Sequence, residues 1–101
     1  MTLNEKIDYL LNALKESDLI FLNGVACLFN EYETFENEYV GNRPESLCID
    51  DVDGDDLYQV VYLTSLEDIS LNNGIFKLSY QNGEKNTIQI LKIKEDYSFN
   101  E

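Results

Sequence analysis

The chain has 101 residues, of which 20 are aspartate or glutamate, 7 are lysine or arginine and none is histidine, so its formal charge at neutral pH is −13. Apolar residues make up 44% and aromatic residues 12%, which is too rich for an acidic disordered tail and predicts one folded domain. The imbalance lies in the middle of the chain, where residues 16–76 hold fourteen acids and a single cation, Arg43. Direct binding of nucleic acid or of an anionic membrane is therefore not expected, because both need a basic surface.

The first predicted element is a helix over residues 3–16. Thr2 and Glu5 have the spacing of a capping box. Apolar side chains then recur at helical intervals, at Ile7, Leu10, Leu11 and Leu14. Residues 19–29 are almost continuously apolar, which predicts a single strand with a bulge or a close backbone approach at Asn23 and Gly24.

A second helix is predicted over residues 31–40. Asn30 and Glu33 give another capping signal, and Gly41 with Pro44 provides the stop. One face of this helix would be aromatic and apolar, formed by Tyr32, Phe35, Tyr39 and Val40. The other face would be anionic, formed by Glu31, Glu33, Glu36 and Glu38.

The remaining elements are predicted strands. Residues 47–49 and 57–64 are rich in β-formers, and Asn82-Gly83 predicts a hairpin between Ile75–Gln81 and Thr87–Ile93. The predicted fold is therefore α+β, a five-stranded antiparallel sheet with two helices in one domain over residues 1–93. Residues 94–101 are polar and predict a flexible C-terminal extension.

The residues predict neither catalysis nor a metal site. Without histidine there is no general base matched to neutral pH, and no glycine-rich phosphate loop precedes a helix. Asp51, Asp53 and Asp55 suggest a calcium loop, but the EF-hand register would place Ile49 and Val60 where carboxylate ligands are required. A solvated acidic turn is favoured, with no cofactor, and calcium binding stays as an alternative.

The two cysteines indicate the compartment of the protein, and its negative charge has two competing interpretations. Cys27 and Cys48 lie in apolar stretches, which predicts reduced, buried thiols, and no apolar run is long enough to span a membrane. We expect a cytoplasmic monomer, kept apart by self-repulsion. The carboxylates either provide solubility alone or imitate the charge of DNA towards a basic partner.

Three segments then resemble the uracil-DNA glycosylase inhibitor family of certain bacteriophages. VGNRPES (Val40–Ser46) is similar to that family's isoleucine-glycine-asparagine-lysine-proline-glutamate-serine stretch. Val60–Ser65 is similar to its valine-methionine-leucine-leucine-threonine-serine strand, and Asn82-Gly83-Glu84 occurs in the same order near the end. The resemblance covers residues 4–91 and implies a five-stranded antiparallel sheet with two helices that imitates DNA.

The resemblance also implies a site. The family's glutamate-serine-isoleucine segment, which enters the enzyme's DNA groove, aligns with Asn23, Gly24 and Val25, so a charged acceptor is lost here. The family's acidic contacts on helix two align with Glu31 and Glu38. Its apolar cavity, which takes up the leucine that the glycosylase inserts into DNA, aligns with Cys27, Phe35, Tyr39, Val40, Ile49, Val61 and Leu63.

The function expected from the resemblance is stoichiometric inhibition of uracil-DNA glycosylase in a 1:1 complex, without a cofactor. Each aligned apolar position also has an ordinary explanation, because a helix that packs on a sheet needs apolar residues there. The alternative function is an acidic DNA mimic against another DNA-binding enzyme, such as a nuclease or a CRISPR effector.

Overall fold

The computed structural model describes residues 1–17, 19–36, 38–53, 58–91 and 99. The helices in this part of the chain are α1 (Leu3–Lys15) and α2 (Glu31–Glu36). The strands are β1 (Leu19–Leu22), β2 (Val25–Phe29), β3 (Tyr39–Val40), β4 (Arg43–Pro44), β5 (Ser46–Asp51), β6 (Tyr58–Tyr62), β7 (Leu66–Asn72), β8 (Ile75–Tyr80) and β9 (Lys85–Ile90). The predicted α+β class is confirmed, but the number of strands is larger than predicted.

Helix α1 begins at the predicted capping box. The Thr2 N–H donates to the Glu5 carboxylate (2.9 Å), and the Glu5 N–H donates to Thr2 Oγ1 (3.2 Å). The bond from the Thr2 backbone holds the pKa of Glu5 below its ordinary value. The predicted apolar stripe is buried, at Ile7, Leu10, Leu11 and Leu14. Local sequence therefore determines this helix and the face that it buries.

Residues 19–29 form a hairpin, so the prediction of one bulged strand was wrong. Asn23 (φ 50°) and Gly24 (φ 85°) both have positive φ, the conformation of a two-residue type I′ turn. The chain reverses there, and β1 pairs antiparallel with β2 from Leu22↔Val25 to Leu19↔Leu28. An asparagine-glycine pair between apolar runs is a strong hairpin signal, and the continuous hydrophobicity on both sides obscured it.

The predicted helix over residues 31–40 was too long. Helix α2 ends at Glu36, and Tyr39 and Val40 form β3, which pairs with β4 through Tyr39↔Pro44 and Val40↔Arg43. Gly41 (φ 68°) occupies the first turn position, as in hairpin turns that require glycine there. Gly41 therefore reverses a short hairpin, whereas the sequence pattern suggested that it ended a helix.

Among the described residues, the main sheet has seven strands in the order β6-β5-β2-β1-β9-β8-β7, where five were predicted. Division of residues 19–29 adds one strand, and β7 adds the other. Strand β7 was missed because its register shifts between Leu66 and Asp68, so its buried residues Leu66, Ile69 and Leu71 do not alternate regularly.

The two edge strands of this sheet are consecutive in the chain, since only residues 63–65 separate β6 from β7. So short a link forces the sheet to curl until its edges meet at that corner. The Tyr80 hydroxyl donates to Tyr62 O (2.6 Å) across the corner. The Gln81 N–H donates to Ser65 O (3.0 Å) beside it.

The core lies between the inner face of the curled sheet and α1. Its fully buried members include Leu10 and Leu14 from the helix and Ile20, Phe76 and Ile88 from the sheet. Lys6 of α1 is also buried, and its Nζ lies 2.9 Å from Asp68 Oδ1 on β7. This hydrogen bond holds the pKa of Asp68 below its ordinary value.

One residue of the predicted C-terminal extension, Phe99, lies among the described residues. Phe99 packs against the core, with its ring centroid 5.4 Å from that of Tyr9 and 6.0 Å from that of Phe76. Phe99 belongs to the predicted extension and contacts the core, and the boundary at residue 93 stays a prediction. The rest of the predicted extension, residues 94–98, 100 and 101, lies outside the described residues.

Candidate protein-binding surface

The predicted partner-binding strand is the turn between β1 and β2. Its Asn23 side chain is held by the protein itself: Oδ1 accepts from the Thr87 N–H (2.8 Å) and Nδ2 donates to Asn86 Oδ1 (3.0 Å). Gly24 has no neighbouring atom within 4 Å of the position of a Cβ, and the Val25 side chain is exposed. The turn therefore presents glycine backbone and one apolar side chain, while Asn23 fixes it to β9.

Helix α2 is too short to be stable alone and is held at its start and middle. Asn30 Oδ1 accepts from the Glu33 N–H (2.9 Å), and Asn30 Nδ2 donates to Asp50 Oδ2 (2.9 Å) on β5. The Thr34 side chain is fully buried, and its Oγ1 accepts from the Cys48 N–H (2.8 Å). These polar bonds attach one side of the helix to β5 and leave the other side in solvent.

The solvent side of α2 is anionic. Glu31, Glu33 and Glu36 are exposed, and no lysine or arginine among the described residues forms a salt bridge with any of them. Glu33 and Glu36 are three positions apart and project from the same side of the helix, whereas Glu31 projects from a different exposed side. Glu38 is exposed just beyond the helix. Lys15 of α1 lines a pocket together with Glu31 and Glu36, so one cation lies beside this acidic side of the helix.

A groove of about 400 Å³ lies beside this anionic side, between α1, α2 and the β3–β4 hairpin. Its residues are Asp8, Leu11, Asn12, Lys15, Phe35, Tyr39, Asn42, Arg43 and Pro44. Lys15 Nζ lies 4.6 Å from the centre of the Phe35 ring, and the Tyr39 hydroxyl donates to Phe35 O (3.4 Å). The groove therefore combines an aromatic wall with two cations, Lys15 and Arg43, and one carboxylate, Asp8, and is open to solvent.

Arg43 fixes the hairpin side of the groove to α1. Its two terminal nitrogens donate to Asn4 Oδ1 (2.8 Å) and Asp8 Oδ1 (3.1 Å). A planar guanidinium with two acceptors on one helix gives a defined orientation that a lysine could not provide. The only arginine of the chain was visible in the sequence, but its partners on α1 depend on the tertiary fold.

The predicted apolar cavity is not assembled as one pocket. Its members Cys27, Ile49, Val61 and Leu63 belong to the buried core. Phe35 and Tyr39 instead line the groove, and Val40 is exposed on the hairpin. The division follows from the early end of α2, because Tyr39 and Val40 leave the helix face on which the alignment placed them. Sequence reasoning missed Leu11, Lys15 and Pro44, which reach the groove from other elements.

The cysteines and the acidic turn add no further chemistry to the described part of the molecule. Cys27 and Cys48 are buried without a disulfide bond, and burial raises the pKa of the Cys27 thiol. Among the described residues, no group of three or more acidic or cysteine side chains is arranged to hold a metal ion. Asp51 and Asp53 of the calcium alternative are described, whereas Asp55 lies outside the described residues.

Comparison of the chain with models of known protein families, with curated proteins and with solved structures gave no match. Neither described helix has the length and hydropathy needed to cross a bilayer. The surface thus has to be interpreted from its own chemistry: exposed carboxylates along α2, an aromatic groove beside them, and a glycine turn. Gly24 and Asn30 flank β2, so the turn and α2 lie at opposite ends of that strand, about 20 Å apart at the rise of a strand.

Proposed function

We propose that the chain is a DNA-mimicking protein inhibitor of uracil-DNA glycosylase, which binds the enzyme's DNA groove in a 1:1 complex. The resemblance of Val40–Ser46 and Val60–Ser65 to the phage inhibitor family names the target. The structural observation that carries the proposal is the exposed carboxylates of α2, which form no salt bridge among the described residues and lie beside a groove with an aromatic wall. A basic DNA groove is complementary to this surface in charge.

Each part of the surface has a separate physical role in the proposed complex. The carboxylates of α2 attract the basic groove over several ångströms and raise the association rate. An apolar side chain of the enzyme packs beside Phe35 and Tyr39, since four other predicted wall members are already in the core: Cys27, Ile49, Val61 and Leu63. Burial of one leucine stabilises such a complex by about 1.5–3 kcal/mol and slows its dissociation.

The test is uracil release from a labelled oligonucleotide by a bacterial uracil-DNA glycosylase, titrated with this protein. An unrelated DNA glycosylase serves as the control for general polyanion effects. Selective loss of uracil release at equimolar protein supports the proposal. Unchanged activity at large excess refutes it, and equal inhibition of both enzymes favours a DNA mimic with another target.

Matched charge variants test the role of α2. Glu33→Gln with Glu36→Gln removes two carboxylates from the surface, and Glu67→Gln with Glu84→Gln removes two from elsewhere, so both proteins change from −13 to −11. The first pair should slow association by about threefold to tenfold at low salt, and the second by less than about twofold. Equal effects of the two pairs would show that only total charge matters.

Tyr39 tests the groove in the same complex. Tyr39→Ala should raise the dissociation rate by roughly tenfold, because it removes one aromatic wall from the contact. Tyr62→Ala is the control, since Tyr62 is similarly exposed on the outer face of the sheet. An unchanged dissociation rate in Tyr39→Ala would remove the groove from the proposed interface.

A further inference from the structure

Strand β6 is an edge strand whose outer side has no strand partner in the part of the chain that the structure describes. The hydrogen bond from the Leu63 N–H to Glu45 O (2.9 Å) shows which residue pairs between β5 and β6 are hydrogen-bonded. In the antiparallel register, Val61↔Leu47 and Gln59↔Ile49 are then the hydrogen-bonded pairs. The N–H and C=O groups of Tyr58, Val60 and Tyr62 therefore point away from β5.

Within the part of the chain that the structure describes, one of these outward groups has a hydrogen-bond partner. Tyr62 O accepts the hydrogen bond from Tyr80 at the closed corner of the sheet. The backbone groups of Val60 have no hydrogen-bond partner among the described residues. The Val60 and Tyr62 side chains are 39% and 54% exposed, so the centre of this edge is accessible to another chain.

Strand β6 lacks three of the features by which natural edge strands avoid pairing. It contains no lysine, proline or bulge, and its sequence is Tyr-Gln-Val-Val-Tyr. The strand at the opposite edge, β7, has two such features: a register shift after Leu66 and the Lys6–Asp68 ion pair to α1. The contrast singles out β6 as the edge that can accept a further strand.

The charges at the ends of β6 select the kind of strand. Asp50 is the register partner of Tyr58, and Asp51 and Asp53 follow it at the same end. Glu45 stands at the other end, beside Leu63. A second copy at this edge would add its own acidic ends to the same negative field, whereas a strand with lysine or arginine at its ends would be attracted to it.

We propose that the β6 edge binds an extended segment of a partner protein by strand addition, and that this segment has apolar β-forming residues at its centre and lysine or arginine at both ends. Main-chain hydrogen bonds to Val60 supply the attachment, and the flanking cations meet the carboxylates at the strand ends. This surface is separate from α2 and its groove, and the inference does not rest on the proposed function.

The probe is the synthetic peptide Lys-Lys-Val-Thr-Val-Thr-Val-Lys-Lys, compared with the same peptide N-methylated at all five central residues. The second peptide keeps the charge and loses the N–H groups that a strand needs. Amide hydrogen exchange of the full chain is followed by NMR at Val60 and Val61. At ten times its Kd, the first peptide should slow exchange at Val60 by about tenfold, and the methylated peptide should not.

Two variants separate backbone pairing from side-chain contact. Val60→Pro removes the outward N–H without removing a bond to β5, and should weaken peptide binding by more than about tenfold. Val60→Thr keeps the N–H and should bind within about threefold of the unmodified chain. If Val60→Pro does not fold, the comparison of the two peptides still shows whether binding requires backbone hydrogen bonds.

Two results would overturn the proposal. Equal binding of the methylated peptide would show attraction by charge alone. Slower exchange at Val60 with rising protein concentration, without peptide, would show that a second copy occupies the edge instead.

Discussion

The Thr34 hydroxyl is the clearest single attachment of α2 to the sheet, and its removal has a calculable cost. Thr34 is fully buried, and its Oγ1 accepts from the Cys48 N–H at 2.8 Å. Thr34→Val keeps the shape of the side chain and replaces this acceptor by a methyl group. A buried N–H that loses its acceptor costs about 1–3 kcal/mol, which lowers the Tm of a domain of this size by about 5–20 °C.

The assay is thermal and urea unfolding followed by circular dichroism, with amide exchange at Cys48 as the local probe. Thr34→Ser is the matched control, because it keeps the hydroxyl and loses one methyl group at a cost of about 1 kcal/mol. We expect faster Cys48 exchange in Thr34→Val and unchanged exchange in Thr34→Ser. A Thr34→Val protein with the original Tm and the original Cys48 exchange would refute this account of how α2 is held.

Three further predictions concern other parts of the fold. Asp68 has a lowered pKa because its carboxylate accepts a hydrogen bond from Lys6. Its contribution to stability is therefore present above the unfolded-state pKa of about 4 and is lost as the pH falls through the lower folded-state pKa. Asp68→Asn should make the free energy of unfolding less dependent on pH between those two values, and a pH dependence equal to that of the unmodified chain would contradict this. Gly24→Ala should cost about 1–2 kcal/mol in urea unfolding through backbone strain alone, because an added Cβ meets no atom within 4 Å, and Gly24→Asn should cost less. Phe99→Ala should lower the unfolding free energy by about 1–2 kcal/mol through the lost ring contacts with Tyr9 and Phe76, and an unchanged value would mean that these contacts contribute nothing.

Local sequence determined the elements whose signals lie within a few residues. The capping box and apolar stripe of α1 were readable because a helix is specified by contacts three and four positions apart. The hairpin of β8 and β9 was readable for a similar reason: its strands flank an asparagine-glycine turn. The exposed glutamates of α2 were also predictable, since a short acidic helix on a sheet can bury only one side.

The tertiary structure decided the rest. Strand β7 contains a register shift that breaks the alternation of its buried residues, and the hairpin that begins at Tyr39 replaces the last turn predicted for α2. The aromatic groove exists because Arg43 fixes that hairpin to α1, 35 residues away in sequence. The open edge of β6 depends on strand order, which no single segment encodes. Contacts between distant segments form only once the whole core closes, so sequence alone determined the charge and the local elements, and the fold determined which side chains meet.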